Sequence, residues 1–108
     1  MKKLLEIYYK GFAQKQGFES VLADDFIFVM NDKKTLMGKM AYLEMFKNFS
    51  PTYQTMRVSR TIVENENACV IASYDWILPS GETQSGNVVE IWKAENGFLK
   101  DLKIYFNM

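Results

Sequence analysis

No histidine occurs anywhere in the chain. That removes His-dependent catalytic triads, haem ligation through imidazole and the usual transition-metal sites together. Cysteine occurs once, at Cys69, so neither an intramolecular disulfide nor a cysteine-based zinc site can form. There is no repeat, no low-complexity tract and no linker at which two domains would divide. An excess of one charge is missing too. Thirteen basic residues balance thirteen acidic ones, leaving no net field to hold a nucleic-acid backbone or an anionic membrane. The first apolar stretch, MKKLLEIYYKGF, is interrupted by Glu6 and Lys10; it is too polar for a signal peptide and too short to span a bilayer. The expectation is a soluble, cytoplasmic protein with no cofactor, no metal, and neither nucleic acid nor membrane as partner.

Hydrocarbon is what the chain has in quantity. The 108 residues suffice for a single domain, 1–108, with a real core. Apolar residues make up 48% and aromatics 15%, so Phe, Tyr, Trp and Met offer more apolar wall than a minimal core needs.

Residues 2–15 read as an amphipathic helix with Leu5, Tyr8 or Tyr9, and Phe12 along one side. Tyr8 and Tyr9 differ by about 100° around that helix, so only one is expected to point inward. Gly17 breaks the helix, and 18–23 reads as a short second one. A compact β-run covers 26–30, and the Asn-Asp pair of 31–34 carries turn chemistry. A third helix, 39–49, repeats Tyr42, Met45, Phe46 and Phe49 and stops before Pro51. Strands then follow at 54–64, 68–78, 85–94 and 98–106, separated by turn residues. Helices first and an antiparallel meander after give an α+β class: three helices in the amino-terminal half, packed on a mainly antiparallel sheet.

The last two strands flank Asn96-Gly97, the strongest short-range hairpin signal. A turn there pairs Lys93 with Lys100, Ile91 with Leu102, Val89 with Ile104 and Asn87 with Phe106. On the other face Trp92 meets Asp101, Glu90 meets Lys103 and Val88 meets Tyr105. In the preceding strand Val70, Ala72, Tyr74, Trp76 and Leu78 share one face, while Cys69, Ile71, Ser73, Asp75 and Ile77 share the other. Helices can cover only one side of this sheet. The uncovered side, with Ile71, Ile77, Val88, Trp92 and Tyr105, is therefore expected to form a homodimer interface, with Cys69 in its seam. Arg57 and Arg60, three apart on a strand, are expected on opposite faces, and Arg60 is an open candidate for the interior. Glu90, opposite Lys103, is expected outside, and Asp24 and Asp25 are expected in a solvated connection.

The succession of helix, short helix, the strand ADDFIFV, a Gly-initiated helix and strands ending in LKIYFN resembles the SnoaL-like group of the nuclear transport factor 2-like superfamily. The best-matching pieces are GFESVLADDFIFV, MGKMAYLEMF and GFLKDLKIYFN, and the resemblance covers nearly the whole chain. It implies a strongly curved sheet wrapped around the first helix, a cone enclosing an apolar pocket. Superfamily members include isomerases, cyclases, dehydratases and epoxide hydrolases, besides non-enzymatic binding and assembly domains. A ketosteroid isomerase-like site needs a carboxylate base and two donors for an enolate oxygen. By resemblance those carboxyl groups fall at Met30 and Val89, which are hydrocarbon. Tyr9 matches the helix-one tyrosine, and Phe46 stands where its tyrosine neighbour would be. No catalytic residue is therefore assigned, and ketosteroid isomerase activity is disfavoured. The pocket is expected to be lined by Tyr9, Phe12, Phe26, Phe28, Met30, Phe46, Val58, Tyr74, Trp76, Asn87, Val89, Ile91, Leu102 and Ile104. The expected function is homodimeric binding of a small, mostly apolar molecule. The alternatives are an isomerase, cyclase or hydrolase acting on a polyketide- or terpenoid-like compound, and a structural dimerisation module with a filled core.

Overall fold

Helix α1 (Lys2–Ala13) forms where Leu5, Tyr8 and Phe12 recur at helical spacing, and all three are buried with Gly11. Gly11 is held bare by its surroundings. A Cβ there would lie 2.4 Å from the backbone nitrogen of Phe18, because the chain folds back across the helix. Gly17, at φ 92°, makes that reversal. The computed structural model describes residues 1–106.

A single 3₁₀ turn, Phe18–Val21, leads into β1 (Leu22–Met30). The segment expected as a second helix is thus one short turn, and the described chain has two α-helices rather than three. Asn31 and Asp32 both adopt positive φ, 51° and 58°, and fold β1 back into a short strand β2 (Lys34–Met37) that the sequence pattern did not announce. Helix α2 (Lys39–Phe49) packs against β1 and turns Tyr42 and Phe46 inward. Strands β3 (Tyr53–Glu64), β4 (Asn67–Ile77), β5 (Thr83–Glu95) and β6 (Phe98–Phe106) complete one sheet of order β2-β1-β6-β5-β4-β3. Every neighbouring pair is antiparallel except β1 with β6. The α+β class and the mainly antiparallel sheet are as expected.

Four irregularities, one of them between Tyr53 and Thr55 of β3, set which side chains enter the concave face. Asn96 (φ 55°) and Gly97 (φ 82°) form the expected turn, and Glu95 pairs with Phe98. One step later the ladder slips: Ala94 pairs with Leu99 but Lys93 pairs with Asp101, so Lys100 is an extra residue. Beyond it the pairs are Trp92 with Leu102, Ile91 with Lys103, Glu90 with Ile104, Val89 with Tyr105 and Val88 with Phe106. The expected register is wrong by one residue. The physical reason is that Leu99, Leu102 and Ile104 are all buried, and only a bulge lets residues three apart on a strand share a face. A second bulge in β3 leaves Ser59 extra, with Val58 opposite Ala72 and Arg60 opposite Ile71. Arg57 and Arg60 therefore both lie on the convex side, contrary to the simple alternation, and Arg60 is not inside. Arg57 there holds Asp75 at 2.6 Å. A third shift, between Leu22 and Ile27 of β1, lies beside the Lys100 bulge, and Lys100 Nζ ties to Asp25 at 2.5 Å.

With these registers, two rows cross the concave face. One runs Val63, Ala68, Trp92, Leu102, Phe28; the next runs Thr61, Val70, Glu90, Ile104, Met30. The core sits over the first row, where α1 brings Tyr8 against the indole of Trp92 at a ring separation of 4.6 Å. On the convex face the rows are Ile62, Cys69, Ile91, Lys103 and Arg60, Ile71, Val89, Tyr105. Ile62, Ile71 and Ile91 there are 48%, 37% and 43% exposed, a run of partly exposed aliphatic side chains. Val88 and Trp92, expected on this face, are instead fully buried within the core.

Candidate functional site

Beside the core the concave face opens into a cavity of about 390 Å³ between α2, β1, β4, β5 and β6. Its wall is mostly carbon: Phe12, Phe28, Met30, Met45, Phe46, Phe49, Trp76, Ile104 and Phe106. The polar side chains on it are Tyr42, Thr52, Tyr74 and Glu90. A second cleft of about 320 Å³, at the other end of β1 and β6, is lined by Asp24, Asp25, Lys39, Glu95 and Lys100, charges of both signs around an open surface.

Glu90 is the feature that sequence reasoning placed wrongly. It is 1% exposed, the single charged residue in the buried core among the described residues. Its Oε1 accepts a hydrogen bond from the Tyr9 hydroxyl at 2.5 Å, and its Oε2 accepts one from the Tyr74 hydroxyl at 2.8 Å. Trp92 Nε1 donates in turn to the Tyr9 oxygen at 2.9 Å. Each partner has a local reason to be there. Tyr9 flanks the buried stripe of α1, so both Tyr8 and Tyr9 reach inward rather than one of them, Tyr8 into the core and Tyr9 to the carboxyl group. Tyr74 lies opposite Gly86 of β5, and the glycine leaves no side chain beside its ring.

Burial raises the Glu90 carboxyl above its ordinary proton affinity, and the two phenol donors offset part of that rise. Tyr9 and Tyr74 are themselves pushed well above the ordinary phenol value by burial and by the negative charge on Glu90, so both remain donors. A second phenol pair stands next to this cluster, with Tyr8 and Tyr42 oxygens 2.5 Å apart. Tyr53, between Phe49 and Tyr74, has a buried hydroxyl without a partner among the described residues. Burial and the Glu90 charge push it up to about 12.

Among the expected pocket residues, Phe12, Phe28, Met30, Phe46, Tyr74, Trp76 and Ile104 line this cavity. Tyr9 stands behind Glu90, and Phe26 and Leu102 are core residues packed near Trp92. Val58 lies on the concave side but is 43% exposed and away from the cavity. Asn87, Val89 and Ile91 point to the convex side, a correction that follows from the Lys100 bulge. The same shift corrects the carboxylate comparison: Val89 faces away, and the side chain entering the cavity beside it is Glu90. The spacing of Leu99, Leu102 and Ile104 was the sequence signal that could have shown this. Among the described residues no cluster of Asp, Glu or Cys has metal-holding geometry, and no helix is long and apolar enough to cross a membrane.

No family model matches the chain, and no curated protein matches it in sequence. Solved structures do match in shape. An NTF2-like protein of unknown function from Burkholderia pseudomallei superposes with a TM-score of 0.85 at 18% identity, over 98% of this chain and 89% of that one. A protein from Jannaschia sp. assigned as a SnoaL-like polyketide cyclase gives 0.84 at 13% identity, over 98% and 83%. TerC, co-crystallised with polyporic acid, gives 0.83 at 17% identity, over 97% and 89%. The fold is therefore the NTF2-like fold of SnoaL-like domains.

Proposed function

We propose that this domain binds a small, largely apolar, carbonyl-bearing molecule in the cavity, and that Glu90 moves a proton on it. The observation that carries this reading is a buried carboxyl group in the wall of a hydrocarbon cavity, held by two phenols at 2.5 and 2.8 Å. A carboxylate whose proton affinity is raised is a stronger base nearer neutral pH, as enolisation requires. Glu90 would take a proton from the carbon next to the carbonyl, leaving an enolate, and return it to the same or another carbon. The volume lies at the low end of ligand pockets, which suits a compact ring system. Kinship in shape with proteins assigned as polyketide cyclases agrees with ring-bearing, oxygenated substrates. This supports the isomerase, cyclase or hydrolase alternative over a binder without an acid–base group.

The test is hydrogen–deuterium exchange at the α-carbon of β-tetralone, followed by NMR in deuterium oxide. Exchange faster with protein than in matched buffer is the expected result. A ketone that binds yet exchanges no faster than in buffer returns the domain to simple binding.

The same reading includes a homodimer formed across the convex face, and a cytoplasmic setting as expected from the composition. Ile62, Ile71, Ile91, Val89 and Tyr105 supply a continuous patch, with Cys69 inside it and Ile77 further along the same face of β4. A second copy related by a two-fold axis would bury the patch against itself. Sedimentation at micromolar concentration is expected to give a dimer, and Ile91→Lys a monomer. A wild-type monomer at that concentration removes this part.

A further inference from the structure

Tyr8 and Tyr42 have two hydroxyl protons between them and a single hydrogen bond. Either oxygen can be the donor in that bond, so one proton is always left over. If Tyr42 donates, the spare proton stays on Tyr8, which is 1% exposed and surrounded by the rings of Tyr9, Phe12, Phe18 and Trp92. If Tyr8 donates, the spare proton is on Tyr42, and Tyr42 lines the cavity while Tyr8 does not. A buried donor without an acceptor is costly, so the second arrangement is favoured. No hydrogen bond joins the Tyr42 hydroxyl to any group but Tyr8 among the described residues. The Tyr9 and Tyr74 hydroxyls are turned to Glu90, and the Trp92 N–H to Tyr9.

We infer that Tyr42 is the specificity residue of the cavity, its hydroxyl donating to an acceptor oxygen of the ligand, the oxygen of a ketone or quinone. The class follows from the count. A donor in the cavity wall that no acceptor among the described residues engages is matched by a ligand oxygen that carries lone pairs. The ring is held for this task, with Phe26 and Phe28 both at 5.0 Å, so little side-chain freedom is lost when the ligand arrives. The inference rests on the cavity being a ligand pocket, but not on Glu90 doing chemistry there.

The experiment compares affinities for β-tetralone and for tetralin, the same carbon frame without the oxygen, by titration calorimetry. The ketone-to-hydrocarbon affinity ratio is expected to fall roughly ten-fold in Tyr42→Phe, the size of one buried hydrogen bond. In Tyr8→Phe it is expected to stay near the wild-type value, because Tyr42 keeps its own proton. An unchanged ratio in Tyr42→Phe, an equal fall in both variants, or a wild-type protein that binds neither compound overturns the inference. Should Tyr42→Phe not fold, the infrared carbonyl stretch of β-tetralone bound to the wild type decides. A shift below its position in an apolar solvent supports the donor, and no shift refutes it. Glu90→Gln is expected to slow α-carbon exchange at least about 100-fold. A wild type with the ratio intact but no exchange removes only the acid–base reading.

Discussion

Trp92→Ala is expected to cost about 3–5 kcal/mol of folding stability, the range for deleting a large aromatic side chain from a packed core. The indole is wholly buried, with Tyr8 at 4.6 Å and Phe26 at 6.2 Å between ring centres, and no neighbouring group can collapse into a space of that size. It also donates to the Tyr9 oxygen, so truncation loosens the phenol that holds Glu90. Ile91→Ala, one residue earlier, removes a side chain that is 43% exposed and should cost far less. Urea denaturation of the two variants measures the contrast, and the reverse ranking would restore the unslipped hairpin. Trp92→Phe separates packing from hydrogen bonding, because it keeps most of the ring and loses the donor.

Glu90→Gln is expected to change the pH dependence of stability and to remove proton transfer. The folded carboxyl holds its proton above the ordinary value of 4.5. Well below that value both folded and unfolded chains are protonated, and the group contributes nothing. As pH rises past it, the unfolded chain ionises first while the folded chain keeps the proton, so the wild type loses stability until the folded group ionises as well. Above that point the loss is constant, at about 1.4 kcal/mol for each unit by which the affinity is raised. Glutamine does not titrate. Stability of Glu90→Gln relative to the wild type should therefore climb from pH 4.5 upward and then level off. A difference that is flat with pH contradicts a raised proton affinity. Loss of a positioned general base should cost at least about 100-fold in α-carbon exchange.

The sequence announced the fold through local chemistry. Asn96-Gly97 marked the last hairpin, Gly38 the start of α2, and the alternation through Val70, Ala72, Tyr74 and Trp76 gave the inner face of β4 correctly. The site was less legible for a specific reason. The sets Val88, Glu90, Trp92, Ala94 and Asn87, Val89, Ile91, Lys93 each mix apolar with polar residues, so alternation alone does not say which one enters. Straight pairing through the turn aligned Ile91 with Leu102 and Val89 with Ile104, which looked self-consistent. The decisive pattern was Leu99 with Leu102, three apart, which no straight strand can bury on one face. A buried carboxylate also contradicts the expectation that charged residues stay outside, and such exceptions concentrate at functional sites. The phenols show the same limit. Helical spacing identified Tyr8 for the core, but only three-dimensional proximity joins Tyr9 to Glu90 across 81 residues of chain.

The additional residue in β6 is one that the ladder itself does not need. Without Lys100 the turn could close unchanged, and Leu99, Asp101, Leu102, Lys103 and Ile104 could keep their partners Ala94, Lys93, Trp92, Ile91 and Glu90, because Leu99 and Leu102 would then stand two apart on a straight strand. Shortening by a single codon would thus cost the bulge and the tie from Lys100 to Asp25 while leaving the same side chains on the aromatic interior, whereas a deletion further along β6 would turn them out.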